Sequence, residues 1–189
     1  VSKVFDVIVG FFKNFETGNY SLSYLNAFYA DKGCNSEQMY ISDIHELMKD
    51  DDWTEDNHRY IQWLFPLNEL SHFNFTAPVL TDAQIDYLRE SSDFQRNLTK
   101  SFWRMMRFYG FTEDTDYENL LRLDDVTKAR VHWLKAHDHN HLRISRILNC
   151  LDLFERADLA DMLRFELKQA FIKHGTINPE TIMYWKLDI

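Results

Sequence analysis

His139–Phe154 reads HNHLRISRILNCLDLF. On a wheel of 100° per residue, Ile144, Ile147, Leu148, Leu151 and Phe154 gather on one side, the spacing of a helix with one buried face. His139, Arg143, Arg146 and Cys150 form a second stripe at i, i+4, i+7 and i+11. Asn140 falls in the middle of the apolar side, where a side-chain amide needs a hydrogen-bond partner.

The same period recurs on either side of this stretch. Val4, Ile8, Phe11, Phe12 and Phe15 share one face, which predicts a docked core helix ending near Gly18. Tyr24–Tyr29 reads as a short helix, and Ile41–Met48 as another, capped by Ser36 or Ser42. Glu55–Phe65 follows, stopped by Pro66. Asn68–Leu80 has no period and contains Pro78, so it is a loop. Thr81 with Gln84, and Ser92 with Gln95, have capping-box spacing and open helices at 82–90 and 93–109, the second ended by Gly110. Glu113–Leu123, Val126–Lys135 and Asp158–Lys173 add three more, the last closed by Gly175. Asn178-Pro179 starts a terminal helix. The expected fold is all-α: a single compact multi-helix domain over residues 1–189, with about eight to ten helices.

Composition agrees. Five Gly and three Pro are too few for a turn-rich β-protein, while 45% hydrophobic residues can fill a core without disulfide staples. Cys34 and Cys150 alone cannot build a disulfide framework or a thiolate zinc site, which points to a reducing, intracellular compartment, cytoplasmic or nuclear. The formal charge of −9 argues against general nucleic-acid binding. The apolar run at the start is interrupted by Asp6 and Lys13 and is too short to span a bilayer, so a soluble chain without a transmembrane segment is expected. Sequons at Asn19, Asn74 and Asn97 read as accidental.

Three groups could carry chemistry. His137–His141 (HDHNH) alternates His with Asp and Asn, but at a helix start Asp138 serves better as a cap than His137 and His141 serve as metal ligands; no metal and no cofactor is assigned. His139, Arg143 and Arg146, stacked near the positive end of a helix dipole, suit an anion, although pairing with surplus carboxylates would use the same residues. In Asn57–Pro66 (NHRYIQWLFP) apolar residues surround nearly the whole circumference, so the helix is expected to be central, with His58 and Gln62 forming a polar strip at i, i+4. Nucleophile elbow, P-loop, dinucleotide fingerprint and HExxH pattern are all missing, and no catalytic residue is assigned.

Two of these runs, His58–Pro66 (HRYIQWLFP) and His139–Leu148 (HNHLRISRIL), resemble the hallmark segments of the conserved N-terminal region of the opioid growth factor receptor family. Weaker echoes lie at Leu25–Tyr29, Tyr40–Ile44, Met106–Gly110 and Trp133, and the likeness covers residues 24–171. The resemblance implies a receptor-like domain of a family unrelated to membrane-spanning opioid receptors. It also singles out His58, Gln62, His139, Asn140, Arg143 and Arg146, which match, from His137 and His141, which do not. The resulting expectation is a non-enzymatic domain that binds a peptide or small anionic ligand, or a protein partner, with those six residues converging in one pocket. The alternatives are an enzyme on a phosphate-bearing, nucleotide-like substrate with a His acid/base and Arg charge stabilisation, and a structural interaction scaffold.

Overall fold

The computed structural model describes residues 18–114, 120–123, 132–174 and 177–187. Among them are nine α-helices and one two-stranded hairpin. The chain divides into two units, Val1–Ser101 and Phe102–Ile189.

The first unit begins at Gly18, whose φ of 70° is open to glycine. A Cβ there would lie 2.5 Å from the Ala77 carbonyl, so the close approach needs glycine as well. Helix α1 (Leu22–Tyr29) starts on Ser21, whose hydroxyl accepts the Tyr24 N–H. Helix α2 (Ile41–Leu47) is not capped by Ser36 or Ser42: Asp43 reaches back to accept the Tyr40 N–H, and the Ser42 N–H goes to Asp31. Helix α3 (Asp51–Asp56) is capped by Asp50, and α4 is a single turn, Ile61–Leu64. The continuous helix expected over Glu55–Phe65 is therefore broken. Asn57 ends α3, and its side chain accepts the Arg59 N–H, a local bond that competes with helix propagation.

Residues 68–80 are irregular, as expected, and lead into α5 (Asp82–Glu90). The Thr81–Gln84 capping box forms, with N···O distances of 3.3 and 2.9 Å. Helix α6 (Ser92–Phe108) is capped one residue earlier than expected, by the Ser91 hydroxyl and not by Ser92. Trp63 is central here: Phe28, Tyr20 and Tyr24 contact its ring, and the Tyr29 hydroxyl donates to its carbonyl at 2.9 Å. Asn97 on α6 donates to the Tyr29 carbonyl at 2.7 Å, and Asn74 to the Arg59 carbonyl at 3.1 Å. Both of these sequon asparagines are buried with their amides in use.

In the second unit, Gly110 ends α6 with φ 85°, and the chain leaves as a strand. Strand β1 (Phe111–Asp114) pairs antiparallel with β2 (Leu120–Leu123), Phe111 opposite Leu123. This corrects the helix expected over Glu113–Leu123; a cross-strand ladder is a non-local interaction that overrides the helix propensity of a leucine-rich run. Of the helix expected over Val126–Lys135, a 3-10 turn at His132–Leu134 is described; residues 124–131 lie outside the described residues, as do Gly175 and the expected helix of Val4–Phe15. Helix α7 (Asn140–Leu153) packs on α8 (Ala157–His174), and strand β2 and the 3-10 turn lie against α8. Helix α9 (Pro179–Tyr184) begins with proline at its first position and Asn178 accepting the Glu180 N–H. No helix among the described residues is long and apolar enough to cross a membrane.

Candidate functional site

Helix α7 places its predicted apolar face inward: Ile144, Ile147, Leu148, Leu151 and Phe154 are all buried. At its start the Asp138 carboxylate accepts the Asn140 N–H at 2.8 Å and the Asp138 carbonyl accepts the His141 N–H, so the cap role expected for Asp138 is filled. Asn140 is 0% exposed, and its side-chain Oδ1 accepts from Arg143 Nη1 at 3.1 Å. The Asn140 amide nitrogen lies 3.4 Å from His139 Nε2. His139 itself is exposed and Arg143 is 5% exposed. A guanidinium this deep is costly to desolvate.

Arg146 lies one turn further, half-buried, beside the buried Cys150 thiol. Burial pushes that thiol well above its usual range, and the Arg146 charge opposes the shift only weakly. The second stripe of the wheel is thus largely sunk into the unit, and at its N-terminal end His139, Asn140 and Arg143 form one hydrogen-bonded cluster.

His58 and Gln62 belong to the first unit and do not share a helical strip. His58 sits in the break after α3 and is exposed, while Gln62 is in α4 and 4% exposed. The Gln62 side-chain carbonyl is buried without a hydrogen-bond partner among the described residues, as is the indole N–H of Trp63.

The histidine run takes a role that spacing did not announce. His141 Nε2 lies 2.6 Å from the Trp133 carbonyl and Nδ1 lies 3.4 Å from the Thr181 hydroxyl. A carbonyl only accepts, so Nε2 donates to Trp133. The Trp185 ring stands edge-on to His141 at 5.4 Å, and its N–H reaches the Ser145 hydroxyl at 3.1 Å. His137 is exposed and precedes the helix, so the two histidines do not share a helical face. Among the described residues no group of three or more metal-type side chains comes together. The available signal was the i, i+4 spacing of His141 and Ser145 on α7, together with Trp185 just after the short helix Pro179–Tyr184.

The profile of the opioid growth factor receptor conserved region matches residues 19–188. The chain belongs to the opioid growth factor receptor family. The match extends past the expected 24–171 at both ends. The opioid growth factor receptor of Rattus norvegicus is 37% identical over 137 residues, covering 71% of this chain and 23% of the relative. That of Homo sapiens is 34% identical over 163 residues, covering 85% of this chain and 23% of the relative. Opioid growth factor receptor-like protein 1 of Mus musculus is 31% identical over 142 residues, 74% of this chain and 30% of its own length. The chain therefore spans between 23% and 30% of these curated relatives. No solved structure matches it.

Proposed function

We propose that this chain is a non-enzymatic, receptor-like interaction domain that binds an anionic group, free or on a peptide, at the start of α7. His139, Asn140, Arg143 and Arg146 supply the site. The observation that supports this reading is the burial of Arg143 beside Asn140 in the first turn, where the dipole of α7 adds positive potential. The Arg146 guanidinium, one turn on in the same stripe, adds a second basic group beside it. Membership of a family whose relatives are named receptors supports the interaction role, and the absence of a catalytic motif in the sequence disfavours the enzyme alternative.

The test is thermal melting in phosphate or sulfate against chloride at matched ionic strength. Phosphate is expected to raise the melting temperature beyond chloride, and Arg143→Gln to remove that increment while the protein stays folded. If Arg143→Gln lowers stability equally in every buffer, the arginine is a structural partner and the anion site is wrong.

A further inference from the structure

Every backbone-to-backbone hydrogen bond described for Ile177–Leu187 stays inside the segment. Asn178 caps its start, and Lys186, at φ 56°, closes its end with N–H bonds from Lys186 to Met183 and from Leu187 to Ile182. It is a self-capped helical module joined to α7 and α8 through side chains.

Those contacts centre on one anchor. Trp185 is fully buried, while Met183 and Tyr184 beside it are 78% and 74% exposed. The indole N–H has two acceptors, the Ser145 hydroxyl at 3.1 Å and the His141 carbonyl at 3.4 Å. Its ring meets His141 and Trp133 edge-on. One turn earlier Thr181 faces His141 Nδ1. Arg164 Nε donates to the Trp185 carbonyl at 3.2 Å, and Lys186 reaches Asp152 at 2.7 Å. A buried aromatic anchor flanked by a polar pair and a rim salt bridge is the anatomy of a helix held in a peptide-binding groove.

We infer that the face of α7 and α8 around Trp185 is a recognition site for a short helical peptide of the pattern Thr-x-x-x-Trp-Lys, kept occupied in cis by residues 177–187. The cis segment lowers the apparent affinity for a peptide in trans, because only chains whose own segment has lifted are competent to bind. This site is separate from the anion-binding cluster: it uses His141, Ser145, Asp152 and Arg164, and neither Arg143 nor Arg146.

The probe is a fluorescein-labelled peptide INPETIMYWKL, the sequence of residues 177–187, titrated by anisotropy into the full chain and into Trp185→Ala and Lys186→Glu chains. The native chain is expected to bind weakly, the Trp185→Ala chain at least about tenfold more tightly, and the Lys186→Glu chain to fall between. A peptide carrying Trp185→Ala should not bind. Circular dichroism melts report whether each variant folds. Should Trp185→Ala fail to fold, Lys186→Glu decides alone, since Lys186 is exposed: tightening of about threefold or more supports the site. Absence of binding to a folded variant, affinity unchanged from the native chain, or equal binding of the substituted peptide overturns it.

Discussion

The start of α7 and the single turn of α4 both bury polar side chains, and they handle them in opposite ways. In α7 the groups are matched to partners close in the chain: Asn140 to Arg143, the Asn140 N–H to Asp138, and the Ser145 hydroxyl to the His141 carbonyl. In α4 the Gln62 carbonyl is buried with no partner among the described residues. A satisfied polar network stabilises and specifies its surroundings, whereas a buried acceptor without a partner costs roughly 1–3 kcal/mol. Substitutions in the two places should therefore differ in sign as well as in size.

The largest effect is expected from Asn140→Leu. It removes the amide oxygen that accepts from the buried Arg143 guanidinium, and losing a buried hydrogen bond to a charged group costs roughly 1.5–3 kcal/mol. The denaturation midpoint should fall, with the slope against denaturant unchanged. A loss under about 0.5 kcal/mol would show that the pairing matters little and would erase the contrast with α4.

An intermediate effect, dependent on pH, is expected from Asp152→Asn at the other end of α7. Burial pushes the Asp152 carboxyl up, but hydrogen bonds and charge from Arg164 and Lys186 outweigh it and hold the carboxyl below its usual value. A depressed carboxyl adds stability above its unfolded value, and that share is lost as pH falls through the folded one. The variant should melt lower than the native chain at neutral pH, and the two curves should converge as pH falls below the ordinary carboxylate range and through the depressed value of Asp152. Parallel curves down to the acid limit would mean that the cluster with Arg164 and Lys186 contributes nothing.

The smallest effect, with the opposite sign, is expected from Gln62→Leu. Removing a buried acceptor without a partner while keeping its volume should leave stability within about 1 kcal/mol of native, on the stabilising side. A loss above about 2 kcal/mol in urea denaturation would place Gln62 in a structural network like that of Asn140.

The same two regions show why parts of the molecule were legible in the sequence and others were not. Polarity alternates sharply along α7, so its period assigned the buried face, and Asn140 could be recognised as needing a partner. Around Tyr60–Phe65 nearly every side is apolar, with Gln62 the exception, so the pattern carried little phase, and the break at Asn57 depended on one Asx bond. Local cap chemistry read well at Thr81 with Gln84 and at Asn178-Pro179, since those bonds close within four residues. The hairpin at Phe111–Leu123 read badly because its ladder is set by pairing across a gap and not by neighbours. The burial of Arg143 was invisible for a related reason: a wheel orders residues around an axis, but it does not report how many sides of the helix the fold covers. His141 was read as a metal candidate or a polar helix start because its ring partners lie off its own helix: Trp133 in the preceding 3-10 turn and Thr181 far along the sequence.

The central claim is that the Arg143 cluster receives an anion, and side-chain NMR during a phosphate titration tests it most directly. The Arg143 Nε–Hε resonance and the Asn140 amide should move saturably with phosphate and not with chloride at equal ionic strength, while the Gln62 side-chain amide stays in place. Shifts that follow ionic strength alone, spread evenly over exposed basic residues and leaving Arg143 still, would contradict the account.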